Sequence, residues 1–156
     1  MSELPVPWLE LSVLIPLIGA AWVGRIRDAD VARERSLQFS GLTLLTTVAA
    51  WYCCGAAKNH LVHDAFDPIA WMLGRSLFVL DELSAPLLPM VSLLFLLVKI
   101  ATLRTKIRRY SFSWALLSQS ILIAALSCKE PWGVIAFLSL GTLPPFFELA
   151  ARGKPT

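Results

Sequence analysis

The chain has 156 residues, of which 56% are hydrophobic, and a formal net charge of +3; its mean hydropathy is +0.66. That is too apolar for a soluble domain of this length, in which about half the residues are apolar. The basic excess does not point to nucleic acid, because Lys and Arg stand at the ends of apolar runs, where they anchor to lipid headgroups, and not on one face or one helix.

The first span is expected over residues 6–24, close to the ~20 residues that cross a bilayer core. Trp8 and Trp22 lie near its ends at aromatic-belt positions and Pro16 lies in its middle, where neighbouring helices can satisfy the freed carbonyl. Residues 25–36 (RIRDADVARERS) read as a charged loop. The second span covers 37–57, and its Thr43, Thr46 and Thr47 can bond back to their own helix. The connection from Lys58 to Glu82 mixes polar residues with Phe66, Trp71, Phe78 and Leu80, with turn signals at Asp67-Pro68 and Gly74. Residues 75–80 (RSLFVL) have strand composition, so a small ordered cap is expected there. The third span covers 83–103 with Pro86 and Pro89 near its start, and the fourth covers 112–127. Lys129-Glu130-Pro131 is a tight turn. The fifth span, 132–151, must continue through Pro144-Pro145 with a kink, since residues 132–143 alone are too short to cross.

The charges orient these spans. Arg25, Arg27, Arg33 and Arg35 follow the first run, Arg104, Lys106, Arg108 and Arg109 the third, and Arg152 and Lys154 the fifth. The other two gaps hold only Lys58 and Arg75, and Lys129. Basic loops remain cytoplasmic, so the expected fold is an all-α membrane protein of five transmembrane helices, N-terminus outside and C-terminus cytoplasmic. The cap between helices two and three then lies outside. Residues 1–10 hold Glu3 and Glu10 and no basic residue, the reverse of a cleavable signal. Cys53, Cys54 and Cys128 read as small buried apolar residues, not as a disulfide framework.

The segment Leu80–Leu97, LDELSAPLLPMVSLLFLL, resembles the start of the third helix of the antiporter-like subunits of respiratory complex I, with Asp81, Leu83, Ser84, Pro86, Leu87 and Leu88 matching and Glu82 replacing the usual glycine. The opening PWLELSVLIPLIGA and the FDP at 66–68 resemble the chain M type of subunit. Similar motifs occur in multisubunit cation/proton antiporters and membrane-bound hydrogenases. The resemblance implies a membrane-arm subunit of a proton-translocating NADH:quinone oxidoreductase, in a bacterial inner membrane, with other membrane-arm subunits and the lipid bilayer as partners. It implies no cofactor on this chain. Two departures stand against a complete pump. Family members have many more helices, and the glutamate expected a few residues before a proline of the fifth helix falls on Ser139 or Leu140 here. The expectation is therefore a truncated or divergent subunit that does not conduct alone; a piece of a related antiporter or hydrogenase, or a non-conducting scaffold or assembly protein, remains open.

The candidate polar residues are few. Lys99 lies four residues inside the third helix's basic end, within snorkelling reach of the interface, or could pair with a carboxylate of a neighbouring subunit. Glu148 stands one turn from Arg152, as an i,i+4 pair or as a proton-handling carboxylate. Ser139 and Thr142 are expected to bond between helices. Asp81 and Glu82, with Ser84, form the helix-start motif, the acids complementing the positive end of the third helix. His60 and His63, beside Asp64, read as a wet polar loop and not as a metal site.

Overall fold

Four helices form a bundle in the computed structural model, which describes residues 2–4, 7–56, 61–64, 78–81, 83–102 and 111–152. They are α1 (Trp8–Val23), α2 (Ala29–Ala56), α3 (Ser84–Ala101) and α4 (Phe112–Ser127). Two shorter helices follow, α5 (Pro131–Gly141) and α6 (Leu143–Arg152). α1 packs on α2 and α4, α3 on α2 and α4, and the α5–α6 arm lies along α4. Two of these helices are long and apolar enough to cross a membrane: Ala29–Gly55 within α2, and α3.

The α2 start corrects the loop expected over 25–36. The Asp28 carboxylate accepts the Asp30 backbone N–H at 3.0 Å, so the turn is closed locally. Ala, Arg and Glu then favour helix, with Ala32 and Ser36 buried and Asp30, Glu34 and Arg35 exposed. Charge had suggested a loop, but one helix face was already formed there. A helix stands where the fourth span is expected, with the same bounds, Phe112–Ser127. The fifth differs: the helix breaks at Thr142, before Pro144-Pro145, which occupy the first turn of α6 where a missing N–H costs nothing. Trp114 and Phe147 stack at 5.8 Å and tie α6 to α4.

α1 is held by hydroxyls from α4. Ser120 donates to the Val13 carbonyl at 2.8 Å and Ser113 to the Ala20 carbonyl at 2.7 Å, two turns apart on both helices. The first of these lies beside the turn that Pro16 deprives of an N–H.

A three-stranded sheet closes one end. β1 (Ser2–Leu4) runs parallel to β2 (Leu61–Asp64), which pairs antiparallel with β3 (Leu80–Asp81). Ser2 faces Val62, and Val62 faces Leu80. Phe78 adds a bridge to Cys128, and the Val79 N–H donates to the Ser127 carbonyl at 2.8 Å. Of the expected 75–80 strand, only its end is found, as a bridge at Phe78 and pairing from Leu80; residues 75–77 lie outside the described residues, as does FDP at 66–68. The N-terminal strand has no alternating apolar pattern to announce it.

The packed interior has two apolar clusters. The cap-side cluster includes Leu9, Ala50, Cys54, Phe78, Leu80, Leu88 and Ile123. The other, at the far end, joins Ala20, Val23, Ala32, Phe112 and Leu116. At the α4–α5 turn, a Cβ on Gly133 would overlap the Cys128 sulfur. Gly133→Ala is therefore expected to lower stability by about 1–3 kcal/mol, with Cys128→Ala suppressing the loss, as measured by thermal unfolding in detergent. Additive effects of the two changes would refute this.

Candidate functional site

Between the two apolar clusters the bundle carries polar side chains. Ser36, Ser40, Thr43 and Thr47 recur at four-, three- and four-residue steps, so they share one face of α2. All four are buried. Opposite them α3 presents Ser92 and Lys99, two turns apart, and α4 presents Gln119. Thr47 and Ser92 hydroxyls hydrogen-bond at 2.8 Å.

Lys99 is the centre of this layer. It is 0% exposed, as are Ser40 and Gln119. Its amine donates to Ser40 Oγ and, at 3.0 Å, to Gln119 Oε1. Ser40 Oγ donates in turn to Gln119 Oε1 at 2.8 Å, closing a triangle across three helices. Gln119 Nε2 is buried and makes no hydrogen bond among the described residues, so the cluster holds more donors than acceptors. Both partners of the lysine among the described residues are neutral.

The end of α3 is clamped beside it. Arg33 of α2 donates from Nη2 to the Ile100 carbonyl at 3.2 Å, and the Ser36 hydroxyl bonds back to the Arg33 carbonyl at 2.8 Å. A cation at the last carbonyls of a helix meets its negative end. Lys99 therefore sits on a helix terminus whose position is set by the neighbouring helix.

This corrects the snorkelling expectation. Reach along α3 would allow the amine to leave the core, but the hydroxyl and amide on α2 and α4 hold it inside. Ser139 and Thr142 are exposed, and each bonds a carbonyl of its own helix: Ser139 to Ile135 at 2.8 Å and Thr142 to Ser139 at 2.7 Å. Among the described residues neither bonds to another helix or joins the lysine. Glu148 lies in α6, but its side chain and that of Arg152 are outside the described residues.

The helix-start motif stands at a junction of strand and helix. Asp81 belongs to β3, Leu83 occupies the N-cap position, and among the described residues no side chain caps the helix. Instead the Ser84 hydroxyl accepts the Asp81 N–H at 3.0 Å and donates to the Asp81 carbonyl at 3.2 Å, joining strand to helix. Glu82 and His60 lie outside the described residues, as do the side chains of His63 and Asp64. Among the described residues, no three of His, Cys, Asp or Glu come together to hold a metal.

Sequence reading missed Ser40, Ser92, Gln119 and the buried Glu10, which is 5% exposed in the first turn of α1. For Ser40 and Ser92 a signal was present as helical spacing, in the Ser/Thr stripe of α2 and the seven-residue step from Ser92 to Lys99; Gln119 had none. No protein-family model matches the chain, and no curated protein matches it.

Proposed function

We propose that this chain is a membrane-arm subunit of a proton-translocating NADH:quinone oxidoreductase, lying in a bacterial cytoplasmic membrane with its N-terminus outside. The observation that carries the reading is Lys99, an amine wholly enclosed between three helices and bonded to neutral partners. An ionisable group so placed is costly, and among membrane helices it is kept where it serves an ion path or a binding site. The distribution around it supports a lipid surrounding. Leu42, Leu45, Val48 and Tyr52 of α2, and Leu93, Leu94, Leu97 and Val98 of α3, face outward, while the hydroxyls face inward. Such a surface suits lipid and would be a large exposed apolar patch in water. The alternating basic clusters and the DELSAPLLP step supply the orientation and the kind of complex.

In this reading the chain is a structural part of the proton-pumping module. The Lys99–Ser40–Gln119 triangle is its internal proton-handling group, dependent on adjoining subunits for entry and exit. The partners are the other membrane-arm subunits and the bilayer; the redox cofactors reside elsewhere in the complex.

Co-purification tests membership: the chain should migrate with quinone reductase activity, and migration alone beside an intact, active complex overturns the reading. Topology has its own check. In a background free of the native cysteines, a cysteine placed within 28–36 should resist an impermeant thiol reagent in whole cells, and labelling there overturns the N-out orientation. One observation favours a second reading, a non-conducting scaffold: the lysine's two partners are uncharged. Lys99→Met separates the two, since it lowers the proton-to-quinone ratio in the first and leaves it unchanged in the second.

A further inference from the structure

We propose that the groove between the end of α1 and the first half of α2 binds one anionic phospholipid. The groove, about 440 Å³, is lined by Trp22, Arg35, Gln38, Phe39 and Leu42. Its polar and apolar ends are ordered along one helix face. Arg35 and Leu42 are seven residues apart, two turns, so they share a face with Leu42 about 10 Å further along the axis. Arg35 Nη1 donates to Gln38 Oε1 at 3.0 Å, which steadies the guanidinium at the rim. A planar fork of N–H donors fits a phosphate bidentately. Trp22 is 59% exposed and Leu42 49%, and with Phe39 they offer an apolar wall to the acyl chain below that phosphate.

Charge selects the headgroup. Among the lining residues Arg35 is charged and no carboxylate is present, and Arg25 and Arg27, exposed, directly follow α1. A zwitterionic headgroup would bring its own cation toward this guanidinium; phosphatidylglycerol would not. Basic grooves between membrane helices on the cytoplasmic side suit anionic lipid for this reason. The apolar wall selects a lipid over free phosphate.

The inference rests on the membrane reading above, and one preparation separates the two. The full chain is placed in nanodiscs of phosphatidylcholine with a minor fraction of phosphatidylglycerol, then extracted gently and weighed by native mass spectrometry. Wild type should retain one phosphatidylglycerol in preference to phosphatidylcholine. Arg35→Gln should lower that retention about fivefold. Leu42→Trp, which keeps the charge and fills the groove, should lower it comparably. Equal retention of the two lipids, or retention unmoved by both variants, overturns the inference while leaving the membrane reading in place. Displacement of the lipid by inorganic phosphate alone overturns it in favour of a phosphate site. A chain that does not enter the disc overturns both.

Discussion

Gln119→Leu destabilises the folded chain by about 2–4 kcal/mol, and adding Lys99→Met returns most of that loss. The leucine removes one oxygen that serves two donors, Lys99 Nζ at 3.0 Å and Ser40 Oγ at 2.8 Å. Both donors are left in an interior from which water is excluded, and an unmet buried donor costs far more than a satisfied one contributes. Methionine has nearly the length of lysine and no donor, so in the double variant only the serine remains, and a serine hydroxyl can turn to a carbonyl of its own helix. Lys99→Met alone should therefore be close to neutral in stability. A double-mutant cycle by reversible unfolding in bicelles measures the coupling. Additive losses would show that the amine and the amide do not act as one unit.

Gly19→Ala is expected to cost about 1–3 kcal/mol, and Gly19→Leu more, because α1 and α2 have no room to part. A Cβ at Gly19 would stand 2.7 Å from Phe39 Cγ and 2.9 Å from its Cβ. These atoms sit at the root of the side chain, so a rotamer change cannot clear them and the helices must shift. Small residues at such crossings let membrane helices approach, and the contact then depends on van der Waals fit. Phe39→Ala should recover only part of the Gly19→Ala loss, since it removes Cγ and the ring but leaves the Cβ contact in place. Gly41 supplies the contrast, for a Cβ there meets nothing within 4 Å. Gly41→Ala should raise stability by about 0.5–1 kcal/mol, since glycine inside a helix carries an entropic cost. If Gly19→Ala and Gly41→Ala behaved alike, helix propensity and not the close approach would govern α1 and α2.

The helices were legible to different degrees for physical reasons. α4 was readable to the residue because it is bounded on one side by basic residues and on the other by Lys129-Glu130-Pro131. α2 was misread at its start because hydropathy marks where a helix becomes apolar, whereas its backbone begins at Ala29, closed by Asp28. The lysine's own helix was clear, but its surroundings were not. Whether an amine near a helix end turns outward or inward depends on what the neighbouring helices offer, and Ser40 and Gln119 are far from Lys99 in sequence. The reading of Ser139 and Thr142 failed for a related reason: a hydroxyl on an exposed face needs no second helix when a carbonyl one turn back is free.

The parallel pairing of β1 with β2 sets an order of events during synthesis. The first strand is made before α1, yet its partner at Leu61–Asp64 emerges only after the whole of α2. The remaining bridge, Phe78 to Cys128, waits for α4 to be completed. Before α4 is begun α1 is a hairpin arm with α2, and the hydroxyls of Ser113 and Ser120 that fasten it have not yet been translated. The last tie of the cap therefore closes on a finished bundle, and a ribosome stalled before Ser113 leaves the first helix attached on one side only.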